Sequence, residues 1–266
     1  MKIGTNIFCL NGKRALVTGA TGYLGCAMAL NLAQAGAHVL VNSRSLKKAS
    51  DLVSEINRLG YSAETAIFDV TNKKEIDVFV ATNINKPLHI LINNAYTGNS
   101  GSIEIATAYQ YMDSYEIAVP AAHHLLKALL PNLRLAVSES GDASVINIAS
   151  MYALVSPDQR LYDNVSAVNP PFYGAAKAAL LSFTRYAACE FGHESIRVNS
   201  ISPGPFPSKE VQMNDIGFIE KLSKKVPMGR VGQPEEIKGA VLFLASEASS
   251  FTNGANIVVD GGWTCW

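Results

Sequence analysis

The sequence lacks a charge imbalance: 22 Lys plus Arg stand against 22 Asp plus Glu in 266 residues, for a formal net charge of +0. With the cations scattered rather than blocked, nothing in bulk electrostatics favours nucleic acid or a membrane surface as a partner. It also lacks a long hydrophobic run. No stretch approaches the ~18 apolar residues of a membrane span. Its four cysteines, Cys9, Cys26, Cys189 and Cys265, form no CxxC pair. In a chain of this size they read as reduced thiols, two of them buried in helices. The start, Met1-Lys2-Ile3-Gly4-Thr5-Asn6, lacks the apolar region and small-residue cleavage site of a signal peptide. A soluble, cytoplasmic protein is therefore expected. His123 and His124 are adjacent, so on a helix they diverge by about 100° and make a poor metal pair; no metal site is expected. There is no internal repeat, low-complexity segment or linker.

What is present is a large apolar fraction, 48% of the residues. That suffices for one α/β domain over residues 1–266 with a substantial core. Apolar runs that read as strands begin near Arg14, His38, Ser62, Leu88, Ala143, Ile196 and Asn256, and amphipathic or apolar helical patterns fall between them. About six helices are expected, one of them a long helix over 109–130 interrupted near Pro120. Such alternation implies a doubly wound parallel sheet of about seven strands with helices on both faces. Residues 151–171 carry three prolines and little periodicity, and read as a functional loop. Residues 205–227, which begin within the proline-rich stretch Pro203-Gly204-Pro205-Phe206-Pro207, read as a lid of one or two short helices.

The first strand runs into Thr18-Gly19-Ala20-Thr21-Gly22-Tyr23-Leu24-Gly25 and then a helical pattern. Strand, glycine turn and helix form the context of a dinucleotide fingerprint, in which the backbone approaches a pyrophosphate closely and the helix N-terminus binds it. A tight turn without a ligand is the alternative. The second strand ends at Asn42-Ser43-Arg44, with no acid for ribose hydroxyls. Arg44 is able to pair with a 2′-phosphate, which favours NADP over NAD, although NAD remains open and Arg44 in a plain surface loop is the alternative. Asp69-Val70 and Asn93-Asn94-Ala95 follow later strands, where ligands of open parallel sheets sit. Asn93 has a structural role and a cofactor contact equally open to it.

Tyr173 and Lys177 stand four apart ahead of the run Ala178-Ala179-Leu180-Leu181, so on a helix they share a face. An ammonium beside a phenol favours the phenolate and lowers its pKa, and a tuned phenol exchanges a proton near neutral pH. Such pairs are frequent on ordinary solvated helices, so the surroundings decide. In this order and spacing, Thr18-Gly19 with Gly25, Asp69, Asn93-Asn94-Ala95, Ser150, Tyr173 with Lys177, Asn199, Pro203-Gly204 and Asp260-Gly261-Gly262 resemble the short-chain dehydrogenase/reductase family over nearly the whole chain. The resemblance implies a Rossmann fold and hydride transfer between a nicotinamide cofactor and a carbonyl or secondary alcohol. It implies Tyr173 as general acid/base, Lys177 as the group that lowers its pKa and binds the nicotinamide ribose, and Ser150 as hydrogen-bond donor to the substrate oxygen. Cofactor contacts are implied at Thr18, Gly19, Thr21, Gly22, Tyr23, Leu24, Arg44, Asp69, Val70, Asn93, Ala95, Tyr173, Lys177, Pro203, Gly204 and Phe206. Family members are commonly homodimers or homotetramers.

Several positions depart from the family. Its TGxxxGxG turn would place glycine where Tyr23 stands, and Gly22 shifts the pattern to GxxGxxG. The last residue of its NNAG is Tyr96 here, a candidate wall of the nicotinamide pocket. Ala118 occupies the position of an Asn that anchors a proton-relay water, and cannot make that bond. Ser150 and Tyr173 are separated by an insertion within 157–170. That insertion, the proline-rich turn and the Trp-containing C-terminus resemble a bacterial subgroup acting on sugars or sugar acids, including gluconate-type dehydrogenases and proteins of flagellin or surface-glycan modification. Two other readings stand beside it: a reductase of acyl or other apolar ketones, and a non-catalytic cofactor-binding protein or sensor, which Tyr23 and Ala118 would suit.

Overall fold

The computed structural model describes residues 6–266. The N-terminal reading above falls on 1–5, outside the described residues. In chain order the elements are β1 (Arg14–Val17), α1 (Tyr23–Gln34), β2 (His38–Ser43), α2 (Leu46–Arg58), β3 (Ser62–Ile67), α3 (Lys73–Thr82), β4 (Ile90–Asn93), α4 (Ala108–Ala118) and α5 (Pro120–Ser140). After them come β5 (Ala143–Ile148), α6 (Pro171–Phe191), β6 (Ile196–Pro203), α7 (Lys209–Asn214), α8 (Ile216–Lys225), α9 (Lys238–Ala245) and β7 (Asn256–Val259). All strand pairs are parallel, in the order β3-β2-β1-β4-β5-β6-β7. This is a single α/β Rossmann-like sheet, and the strand order reverses between β1 and β4, where ligands of such sheets bind.

Alternate residues of each strand feed opposite faces. Ala15 and Val17 join Val39, Val41, Ile90 and Ile92 in a core under α1, α2 and α9. Leu16, Leu40, Leu91 and Val145 join Leu125, Leu129 and Leu133 in the core under α5. Burial on both sides explains why the strands read as continuous apolar runs. One polar interruption, His89, is buried, and its Nδ1 accepts a hydrogen bond from Arg14 N (3.0 Å).

Nine α-helices occur among the described residues, against about six expected, chiefly because the long helix and the lid each divide in two. Pro120 separates α4 from α5, as expected of a residue without an N–H. The second helix then runs through Pro131 to Ser140, beyond the expected end at residue 130. Pro131 is exposed, so the carbonyl it leaves without a partner faces water, while Leu129, Leu133 and Ala136 carry the helix across it by burial. The cysteines differ from expectation: Cys26 is half-buried and Cys189 exposed, because Cys189 falls on the outer face of α6. Among the described residues no helix is long and apolar enough to cross a membrane.

A third, smaller core joins the 151–171 loop to the lid. Met151 and Leu161 from the loop pack with Leu222 from α8, with Val226 just after it and with Trp263 from the C-terminal turn. Charges fasten the same seam: Lys225 Nζ donates to Asp158 Oδ2 (2.7 Å), and Lys221 pairs with Asp163. Trp263 is thus buried in its own subunit, whereas Trp266 is exposed.

Candidate active site

The glycine turn between β1 and α1 bends sharply. Gly19 has φ +60°, and a Cβ there would meet Ala95 Cα at 2.9 Å. A Cβ at Gly25 would lie 2.2 Å from Gly19 O. Only glycines allow this close approach. The first turn of α1 has Gly22 at its N-cap, no side-chain cap and no acidic residue. Its N–H groups are thus available to an anion.

A groove of ≈ 660 Å³ runs from this turn along the strand ends. Gly19, Thr21, Gly22, Tyr23 and Leu24 line it from the turn, with Arg44 from the end of β2 and Asp69, Val70 and Ala95 from later strand ends. Asn42 also reaches the groove wall, but its side chain is engaged in the fold. Its Oδ1 accepts from Gly19 N (3.1 Å), and its Nδ2 donates to Ala66 O and Phe68 O. Sequence reasoning missed Ser43, Ser45, Lys48 and Thr71. The signal for Lys48 was one helical turn from Arg44, in the first turn of α2. Arg44 is 68% exposed and lies 3.6 Å from Asp69. Burial works to raise the Asp69 pKa, but hydrogen bonds from Thr71 and the Arg44 charge hold it below its ordinary value.

Seven expected cofactor contacts do not line this groove: Tyr173 and Lys177 stand where β5 meets α6, and five others pack into the fold. Thr18 turns inward: its hydroxyl donates to Ile92 O (3.1 Å) and accepts from Asn94 N (2.8 Å) and Ala95 N (3.0 Å), clamping the end of β1 to that of β4. Asn93 donates to Asn147 Oδ1 (2.8 Å), and Asn147 donates to Thr184 Oγ1 (2.9 Å), a buried chain across β4, β5 and α6. Pro203 ends β6 in its hydrogen-bonded register with Val259. Gly204 presses on Asp260, whose Cα a Cβ there would meet at 2.4 Å, and the Phe206 ring covers Gly232.

Ser150, Tyr173 and Lys177 converge where β5 ends against α6. Lys177 is 4% exposed, and its Nζ donates to Ile148 O (2.7 Å). Burial lowers its pKa to about 8. Its ammonium lies 5.8 Å from the Tyr173 ring centroid and closer, 4.9 Å, to that of Tyr96. The expected lowering of the Tyr173 pKa by Lys177 is opposed by the phenol's own surroundings. Burial raises the phenol pKa, Ser150 opposes that by hydrogen bonding, and Tyr96 adds to the rise. Ala118 sits beside Lys177 at a void of ≈ 10 Å³, room for about one water.

Similarity to known proteins shows the family. The family model described as "Enoyl-(Acyl carrier protein) reductase" matches residues 19–264. The chain is 33% identical to gluconate 5-dehydrogenase of Gluconobacter oxydans, over 97% of each chain.

The chain belongs to the short-chain dehydrogenase/reductase family.

Solved structures agree with this short-chain dehydrogenase/reductase in fold over nearly its whole length. A gluconate 5-dehydrogenase from Burkholderia cenocepacia, in complex with NADP and tartrate, superposes with a TM-score of 0.86 at 28% identity, covering 98% of both chains. L-Sorbose reductase from Gluconobacter frateurii, complexed with NADPH and L-sorbose, gives 0.83 at 26% identity, covering 97% of this chain and 99% of that one. As a short-chain dehydrogenase/reductase the protein is an oxidoreductase that transfers hydride between a nicotinamide cofactor and a carbonyl or alcohol.

Proposed function

We propose that this enzyme is NADP-dependent and acts on a polyhydroxylated carbonyl or alcohol: a sugar, sugar acid or polyol. The observation that carries the reading is the polar wall around Ser150 and Tyr173. Ser150 Oγ accepts from Tyr152 N (3.1 Å), and the Tyr152 hydroxyl meets that of Tyr162 at 3.3 Å. The Tyr173 phenol thus meets the Ser150 hydroxyl, and the paired phenols of Tyr152 and Tyr162 stand on the same loop beside it, which suits a substrate rich in hydroxyls. The named relatives act on gluconate or sorbose. The description of the matching family model favours instead an acyl substrate, and that is the second reading.

The glycine turn and the uncapped α1 N-terminus would hold a pyrophosphate. Arg44 and Lys48 would face a 2′-phosphate from the far end of the groove. When bound, the nicotinamide supplies or accepts the hydride. Ser150 and Tyr173 then hydrogen-bond the substrate oxygen, where negative charge develops during reduction. Tyr173 delivers the proton there, and the raised pKa of its phenol keeps it protonated at neutral pH. The buried Lys177 ammonium provides positive charge behind the phenol as it gives up that proton.

The assembly belongs to the same reading. Tyr109, Met112 and Tyr115 on α4 and Tyr186 on α6 are exposed. An apolar patch of this kind on packed neighbouring helices supports a homodimer or homotetramer. Exposed free thiols at Cys9, Cys189 and Cys265 suit the reducing cytoplasm.

The test combines binding and turnover. The purified chain is titrated with NADPH and NADH, then offered keto-sugars, sugar acids and polyols beside acyl and steroid ketones. Tighter NADPH binding with turnover of a sugar derivative is expected, and Tyr173→Phe should abolish turnover while still binding cofactor. Turnover of apolar ketones alone would overturn the substrate class. Tight binding with no turnover would revive the non-catalytic reading.

A further inference from the structure

Tyr96 stands between the long groove and a second cavity of ≈ 320 Å³, and lines both. Its ring centroid is 4.9 Å from that of Tyr173, with the planes at 70°, an edge-to-face contact. The Lys177 ammonium lies 4.9 Å from the same ring. Tyr96 therefore touches both groups that the proposed proton transfer uses.

The far end of Tyr96 is anchored. Its hydroxyl is 2.7 Å from Ser114 Oγ, and Ser114 is 3% exposed. Ser114 Oγ donates to Phe172 O (3.2 Å). A serine hydroxyl has one proton to give, so Tyr96 is the donor to Ser114. The chain of bonds then runs from Tyr96 through Ser114 to the backbone of Phe172, the residue immediately before Tyr173. The same helix that presents Tyr173 thus fixes the angle of the ring packed against it.

We propose that Tyr96 is the positioning residue of this site: its ring face holds the Lys177 ammonium, its contact with Tyr173 sets the phenol's direction, and the Ser114–Phe172 bonds lock both. The proposal rests on the acid/base roles assigned to Tyr173 and Lys177 above. Lys177 needs such a partner. One of its three donors is used on Ile148 O, and burial is the sole cause that moves its pKa, with no carboxylate offsetting it. A ring face offers negative quadrupole to a cation without adding a second ionised group. The titratable groups facing the ammonium are Tyr96 and Tyr173. The flanking positions on α4, on α5 and just after β1 are Ala118, Ala121, Ala122, Leu125 and Thr18, none of which ionises. Asp113 and Glu116 line the second cavity, on the other side of Tyr96.

The experiment reads Lys177 directly in the full chain. Lysines are labelled at 13Cε, the Lys177 resonance is assigned by its loss in Lys177→Met, and its pH titration is followed by NMR. Tyr96→Leu, and Tyr96→Met as a second non-aromatic variant, should lower the Lys177 midpoint by about one pH unit. Tyr96→Phe keeps the ring and should leave the midpoint near that of the parent. Wherever turnover is found, the alkaline limb of kcat for reduction should move down with the Leu and Met variants. Tyr96→Phe and Ser114→Ala should keep that limb but lower kcat by roughly two- to tenfold through the lost anchor. A Lys177 midpoint that stays put or rises in both non-aromatic variants overturns the proposal. The NMR readout needs no substrate, so failure of the whole enzyme to turn over any substrate would sink the proposed function and leave this result standing on its own.

Discussion

The Tyr23 hydroxyl accepts a 3.2 Å hydrogen bond from Gln212 Nε2, which joins the glycine turn to the lid helix α7. The amide of Gln212 is held from two further sides: Nε2 also donates to Pro207 O (2.9 Å), and Oε1 accepts from Gln233 Nε2 (3.3 Å). A glycine at position 23 would leave the lid without this tether. Tyr23→Phe should therefore speed NADPH release by roughly two- to tenfold, the range of one modest hydrogen bond. Stopped-flow fluorescence measures that rate. Release at the parent rate would mean the tether does not hold the closed lid.

Arg44 and Lys48 are the two cations at the outer end of the groove. Replacing either by Ala should weaken NADPH binding by about tenfold relative to NADH, since only the former carries a 2′-phosphate. Asp69 pairs with Arg44 and competes for its charge, so Asp69→Asn should tighten NADPH. Paired fluorescence titrations settle both, and equal losses for the two cofactors would count against Arg44 as the selector.

Asp158 receives hydrogen bonds from Arg160 and Lys225, which hold its carboxyl far below the ordinary carboxylate range. It is the polar fastening between the 151–171 loop and α8. Asp158→Asn should raise the substrate KM by roughly two- to fivefold, as for an exposed ion pair, with the cofactor Kd unchanged. A change in both constants would place the effect on the whole fold instead of the substrate wall.

His89 is buried and accepts a hydrogen bond at Nδ1; burial, then the charge of Lys13, lowers its pKa from 6.5 to about 4. The unfolded chain binds this proton below about pH 6.5 while the folded chain does not. Stability is therefore full above that pH and is lost as pH falls toward 4, by on the order of 3 kcal/mol from this group. His89→Gln should flatten that part of the curve of unfolding free energy against pH in urea titrations. A variant curve parallel to the parent's between those limits would exclude His89 as the source.

Much of the fold was legible because its signals are local. Alternating apolar segments, the glycine turn and the four-residue spacing of Tyr173 and Lys177 need no knowledge of neighbours. What was not legible has one physical source as well. Thr18 and Asn93 sit at strand ends, where a side chain has a ligand or a neighbouring strand available to it. Crossovers that bring β4 beside β1 and β5 supplied Ile92 O, Asn94 N and Asn147 as partners. Pro131 reads locally as a helix stop, and only burial of Leu129 and Leu133 on one side, with water on the other, carries α5 past it.

The sequence by itself determined the parallel sheet, because hydrophobic period acts within one element, and through the family resemblance it named Ser150, Tyr173 and Lys177 as the proposed acid/base set. Tertiary structure alone decided where the charge of Lys177 points. Its Nζ is drawn to Ile148 O and the face of Tyr96, both delivered by other strands. A buried cation takes whichever partners the fold brings within reach, and nothing in its own helix names them.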